Sequence, residues 1–159
     1  MMECIIKSYN AFEVFGIYEI VSADRGRTFK DISAFINKYV ENGDYDRMND
    51  LLGRPRGTYV HTAQYDHGEN AFKYMMCCHA PQNINISEQY TKLKVPALTW
   101  AIFAADEKDM RDTWQRVYSE WLPASGYEQA AGPTFEMYYG MFGHSRSHCE
   151  IWIPAKKTE

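Results

Sequence analysis

Leu98-Thr99-Trp100-Ala101-Ile102-Phe103 and Thr134-Phe135-Glu136-Met137-Tyr138-Tyr139 bracket the passage that decides the fold. Both segments are rich in β-branched and aromatic residues, which suit the pleated surface of a strand. Between them Met110, Trp114, Val117, Tyr118, Trp121 and Leu122 recur at helical spacing and predict one amphipathic helix. Asp106 is placed to cap its start, and Pro123 and Gly126 to stop it. Cys149–Ile153 reads as a further strand.

Working outward, the same order recurs earlier in the chain. Glu13–Val21 reads as a strand, and Ile32, Phe35, Ile36, Tyr39 and Val40 form a second helical stripe. Thr28 or Asp31 would start that helix and Gly43 would end it. Thr58–Gln64 and Phe72–Cys77 follow as strands. Phe15-Gly16-Ile17-Tyr18 matches Trp100-Ala101-Ile102-Phe103, Thr58-Tyr59-Val60 matches Thr134-Phe135-Glu136, and Phe72–Met76 matches His148–Trp152. The predicted class is α+β: duplicated β-(β)-α-β-β units with pseudo-twofold symmetry, antiparallel sheets around a central ligand cleft, and one long helix per half. Residues 1–159 are expected to form one domain, with half-repeats at about 1–80 and 93–157 and a polar linker at about 81–92.

Composition narrows the function. The 159 residues include 12 Tyr, 8 Phe, 4 Trp and 8 Met, an aromatic and thioether content suited to an adaptable apolar pocket. Seventeen basic against 21 acidic residues give a net charge of −4. Without a basic stripe the chain lacks the phosphate-neutralising surface that nucleic-acid binding needs, so no direct binding is expected. Cys4, Cys77, Cys78 and Cys149 form no C-x-x-C pair and read as reduced, buried thiols. The start of the chain lacks the pattern of a signal peptide, and no apolar run is long enough for a membrane helix; a cytoplasmic location is expected.

Differences between the matched halves locate a candidate site. Val60, Tyr74 and Met76 correspond to Glu136, Glu150 and Trp152. Strand alternation puts Glu136 on one face with Tyr138, and Glu150 on one face with Trp152. Two carboxylates beside aromatic rings, both facing the cleft, would make an aromatic box with an acidic floor. A carboxylate removed from water is costly unless paired, and an organic cation supplies the counter-charge while aromatic faces attract it. His144 and His148 have a metal-like spacing, but no further ligands can be placed and no metal is expected. His61, His67 and His79 read as isolated histidines. No G-x-S-x-G, P-loop or G-x-G-x-x-G occurs, so no cofactor is expected.

The second half resembles the GyrI-like effector-binding domains. The resemblance is carried by Val95–Phe103, by Trp114-Gln115-Arg116-Val117-Tyr118-Ser119-Glu120-Trp121-Leu122-Pro123, by Gly132-Pro133-Thr134-Phe135-Glu136-Met137-Tyr138 and by Glu150-Ile151-Trp152-Ile153-Pro154. In the first half it rests on Glu13-Val14-Phe15-Gly16-Ile17. The resemblance implies a duplicated strand–strand–helix–strand fold that binds amphipathic, aromatic, cationic molecules, as a drug sensor or a sequestering protein. It places Glu136 at the central glutamate, Glu150 and Trp152 at terminal-strand pocket positions, and Trp100 and Trp121 at family aromatic positions; Tyr138 and Tyr74 complete the expected set. Such domains often form the C-terminal half of AraC- or MerR-type activators, and free-standing forms are encoded by integron cassettes. Here residue 1 leads almost directly into the first strand, which fits a free-standing chain and a fragment of a regulator alike; the expected arrangements are a DNA-binding domain in trans or a homodimer. Two alternatives follow from the same resemblance. One is a small hydrolase of electrophilic genotoxic compounds that uses a pocket glutamate. The other is a protein-binding inhibitor of the gyrase-inhibitor kind.

Overall fold

Thr62 pairs with Glu136, Ala63 with Phe135 and Gln64 with Thr134, and this antiparallel contact joins the two ends of the chain into one sheet. The computed structural model describes residues 2–141 and 148–159. The strands are β1 (Ile5–Tyr9), β2 (Phe12–Ser22), β3 (His61–Tyr65), β4 (Ala71–His79), β5 (Thr91–Val95), β6 (Leu98–Ala105), β7 (Tyr127–Gln129), β8 (Thr134–Tyr139) and β9 (His148–Lys157). Their order is β1-β6-β9-β8-β3-β4-β2-β5, with β7 paired to β9. The architecture is therefore α+β with a large antiparallel sheet. Among the described residues it is one continuous nine-stranded sheet, where the sequence suggested two meeting sheets.

Alternation along each strand sorts the core into two faces. Val14, Ala63, Met75, Cys77, Trp100, Ile102, Phe135, Met137 and Trp152 point to the face without helices and pack into one cluster. Phe12 on β2 reaches Trp100 on β6, with ring centroids 6.2 Å apart. Those strands are five spacings apart in the order, about 24 Å in a flat sheet. The sheet must therefore curl over this face, and the aromatic pack is the inside of the roll. Burying each of these large side chains contributes about 1.5–3 kcal/mol.

The other face carries the helices. α1 (Arg25–Glu41) and α2 (Asp44–Leu51) cover Phe15, Val60, Phe72, Tyr74, Met76 and Cys78. α3 (Met110–Arg116) runs on through a π-helical turn, Val117–Trp121, into α4 (Leu122–Ala124) and covers Ala101, Phe103, Ile151 and Ile153.

Several boundaries differ from the sequence reading. α1 starts at Asp24, whose carboxylate accepts from Gly26 N–H, and not at Thr28 or Asp31. Those two side chains instead tie the helix to β2: Thr28 donates to the Ser22 carbonyl and Asp31 accepts from Ser22 N–H. Asp106 does cap the later helical segment, but through a 3₁₀ turn, Glu107–Asp109, laid before α3. α2 was not expected; its buried residues are only Tyr45, Met48 and Asn49. The segment read as linker ends within β5. Strands β1 and β5 are exchanged across the molecule, β1 lying beside β6 and β5 beside β2.

Candidate functional site

The two helical clusters leave a gap over the central strands, and the helix-facing residues of β3 and β8 form its floor. The floor is built around Glu136. Its Oε1 accepts from Thr62 Oγ1 at 3.1 Å and from the Tyr138 hydroxyl at 2.6 Å. Its Oε2 accepts from the Trp114 indole N–H at 2.7 Å. Thr62 is presented by the β3–β8 register, Tyr138 lies two residues along the same strand face, and Trp114 reaches down from α3. Above this floor lies a cleft of about 490 Å³, counting its open mouth, walled by Tyr45, Tyr59, Tyr74, Tyr138, Ile36 and Met76. Glu107, at the start of the 3₁₀ turn, lies at the rim and accepts from the Tyr59 hydroxyl at 2.8 Å. The Tyr59 and Tyr138 rings lie 5.6 Å apart and connect rim to floor.

All three donors to Glu136 are neutral, and among the described residues no lysine, arginine or histidine pairs with it. The surrounding phenols are held protonated. Burial first, then the Glu136 carboxylate, drives the Tyr138 and Tyr74 hydroxyls well above the usual phenol range. Burial and then the bond to Glu107 push Tyr59 up to about 12. On the same sheet face, across from Tyr138, the Cys149 thiol is pushed up to about 11 by burial and then by the charges of Glu107, Glu136 and Asp106. The fields of both glutamates thus converge on one site. The arrangement is an anionic, aromatic-walled cleft with no internal counter-ion among the described residues.

Of the residues proposed from sequence, Tyr138 and Tyr74 line this cleft, and Glu136 adjoins it through its hydrogen bonds to the lining residues Thr62 and Tyr138. Glu150, Trp152 and Trp100 do not. They point to the helix-free face, where Trp152 donates to Glu150 at 3.1 Å, stacks on Tyr9 and packs against Trp100. Trp121 lies on the helical face but packs edge-on to Phe103 and stacks on Tyr127, away from the cleft lining. The physical reason is a slip of register. Matching Phe72–Met76 to His148–Trp152 sets Tyr74 against Glu150, yet Tyr74 lies on the helical face and Glu150 on the other. In a strand a one-residue error exchanges the faces. The match of Phe15 to Trp100 fails in the same way, since Phe15 lies beneath α1 and Trp100 inside the roll.

Sequence reasoning missed Trp114, Thr62, Tyr45, Tyr59 and Glu107. Trp114 was legible only as part of an apolar stripe; its indole N–H, which must find an acceptor when buried, was the overlooked signal. His61 and His79 are not isolated: their rings lie 5.3 Å apart, and His61 Nδ1 accepts from Tyr138 N–H at 3.0 Å. His144 and the rest of the 144–147 motif lie outside the described residues. Among the described residues no group of three or more His, Cys, Asp or Glu could hold a metal ion. No helix among them is long and apolar enough to cross a membrane.

An antiparallel sheet curled over one face, with a helix-walled acidic cleft on the other, defines a small-molecule-binding domain. The chain belongs to the integron-associated effector binding proteins, the Cass2 family, which it matches over residues 5–155. Its structure is similar to that of SAV2435 bound to tetraphenylphosphonium, with a TM-score of 0.77 at 18% identity over 98% of this chain and 94% of that one. It is also similar to an integron cassette protein from the mobile metagenome of Vibrio cholerae, with a TM-score of 0.63 at 18% identity over 96% and 95% of the two chains. In sequence it is 35% identical over 68 residues to a DNA gyrase inhibitor of Erwinia billingiae; that match spans 41% of this chain and 44% of the inhibitor's length.

Proposed function

We propose that the cleft binds amphipathic, aromatic organic cations and that the protein acts as a sensor or a sequestering agent for them. The observation that carries this reading is Glu136: a half-buried carboxylate held by three neutral donors, with no cationic partner among the described residues, beside a cleft walled by four tyrosines. A delocalised cation with aromatic bulk supplies the missing charge and gains about 0.5–2 kcal/mol from each ring face it meets. Tetraphenylphosphonium, bound by the structural relative SAV2435, has this chemistry. Glu136, Tyr138 and Tyr74 would contact the ligand, joined by Trp114 and Tyr59. Three of the roughly four acceptor positions of Glu136 are already taken, which suits charge recognition better than water activation.

In this reading residues 1–159 act as one cytoplasmic domain of two half-repeats. Output would pass through a DNA-binding domain in trans or through a second copy of the chain. The test is titration with ethidium or rhodamine 6G, followed by tryptophan fluorescence. Saturable quenching that weakens in Glu136→Gln supports the reading, and unchanged affinity in that variant overturns its electrostatic part.

A second reading, a protein-binding inhibitor, is favoured by the partial match to the Erwinia gyrase inhibitor. Pull-down with purified gyrase, with and without saturating dye, separates the two.

A further inference from the structure

Glu107 is a second anionic wall of the same cleft, set apart from the first. Glu136 is on the floor, fixed to the central strands. Glu107 is on the rim, fixed by the 3₁₀ turn that Asp106 caps through Lys108 N–H at 3.1 Å. Tyr59 and Tyr138 bridge them: Tyr59 donates to Glu107, Tyr138 donates to Glu136, and their rings lie 5.6 Å apart. Both carboxylates take hydrogen bonds from neutral phenols, and among the described residues neither has a lysine or arginine partner. One turn further on, Arg111 is engaged elsewhere, its guanidinium 3.3 Å over the ring of Phe29 on α1.

Resting on the cation-binding reading above, we propose that Glu107 sets the ligand's charge number: the cleft prefers aromatic dications, taking the ring cation over Glu136 and a tethered second cation at Glu107. Two fixed anions separated by an aromatic wall match two cations separated by an aromatic body. A monocation leaves one of the two carboxylates unmatched. Each added charge pair at the partly solvated rim gains a modest Coulomb energy that salt screens.

Ethidium and propidium test this directly. They share one phenanthridinium ring, and propidium adds a quaternary ammonium on a short tether. At low ionic strength the wild-type protein should bind propidium about tenfold more tightly than ethidium, and the ratio should shrink as salt rises. Glu107→Gln, at an exposed position, should bring the ratio close to one. Glu136→Gln should weaken both dyes together. Equal affinity for the two dyes in the wild type, or a ratio that survives in Glu107→Gln, would overturn the proposal and leave the cation-binding reading standing. Failure of both dyes to bind would instead overturn that reading and the proposal with it.

Discussion

The indole nitrogen of Trp114 lies 2.7 Å from Oε2 of Glu136, so one hydrogen bond joins the helical wall of the cleft to its strand floor. Trp114 is therefore the tryptophan placed to report on the cleft. Trp100 and Trp152 are inside the roll, and Trp121 is packed on Tyr127. Trp114→Phe should remove most of any ligand-induced quenching and cost about 1–3 kcal/mol by leaving Glu136 one donor short. Urea unfolding and a dye titration of the same variant would check both parts; quenching that persists would place the ligand elsewhere.

Glu136→Gln keeps size and shape but removes the charge. Affinity for ethidium or rhodamine 6G should fall at least about tenfold, equivalent to ~1.4 kcal/mol. Isothermal titration at two salt concentrations would check it, since the lost part should also be the salt-sensitive part.

Gly16→Ala should destabilise the sheet by about 2 kcal/mol or more. A Cβ at this position would sit 1.8 Å from the Met76 carbonyl oxygen and 2.9 Å from Cys77 Cα. Those are backbone atoms of β4, which cannot turn aside as a side chain would. A lowered urea midpoint with an unchanged denaturant slope is the expected result.

His61 makes stability depend on pH. Burial first, then His79 and Arg54, push its imidazole from 6.5 down to about 3 in the fold. The unfolded chain takes up a proton below about 6.5, so between about 6.5 and 3 it binds more protons than the folded one. The contribution of neutral His61 is complete above this window and is lost as pH falls through it, at about 1.4 kcal/mol per pH unit. Urea midpoints measured from pH 7 to pH 4 should decline. The decline should flatten in His61→Asn, whose side-chain oxygen can still accept from Tyr138 N–H.

Asn49, on α2, is fully buried and pins the segment that leads from α2 to β3. It donates to the Thr58 carbonyl at 2.9 Å and accepts from Arg54 at 2.7 and 3.0 Å. Asn49→Leu should cost about 2–4 kcal/mol, because it strands a carbonyl and a guanidinium at once. A thermal midpoint close to wild type would contradict this.

The strands and the first core were readable because alternation is a local signal. It paired Glu136 with Tyr138 and opposed them to Phe135 and Met137, as the structure does. What alternation could not supply was phase between distant strands. Nothing local in Phe72–Met76 tells which residues of β9 share its face, and one residue of slip sent Glu150 and Trp152 to the wrong side. The edge strands β1 and β5 were hidden for a different reason. Four of the five residues of β1 are exposed, so it carries little of the burial pattern that marks a strand. The π-helical turn at Val117–Trp121 leaves no mark on an apolar stripe that runs straight through it. Glu107 was overlooked because it sits in a polar run, and only the fold brings it to Tyr59.

The exchange of edge strands has a consequence for how guests enter. β1 belongs to the chain before α1 yet borders β6, while β5 belongs to the chain after β4 yet borders β2. The two walls of the cleft are laced to each other at both margins and fused along β3–β8 at the centre. They cannot part like the jaws of a hinged two-lobed receptor. Room for a larger guest has to come from rings turning in place, chiefly Tyr59, Tyr138 and Trp114, over an unyielding base. Such a protein would discriminate among ligands by how well mobile rings settle around them, and its backbone should look much the same empty or filled.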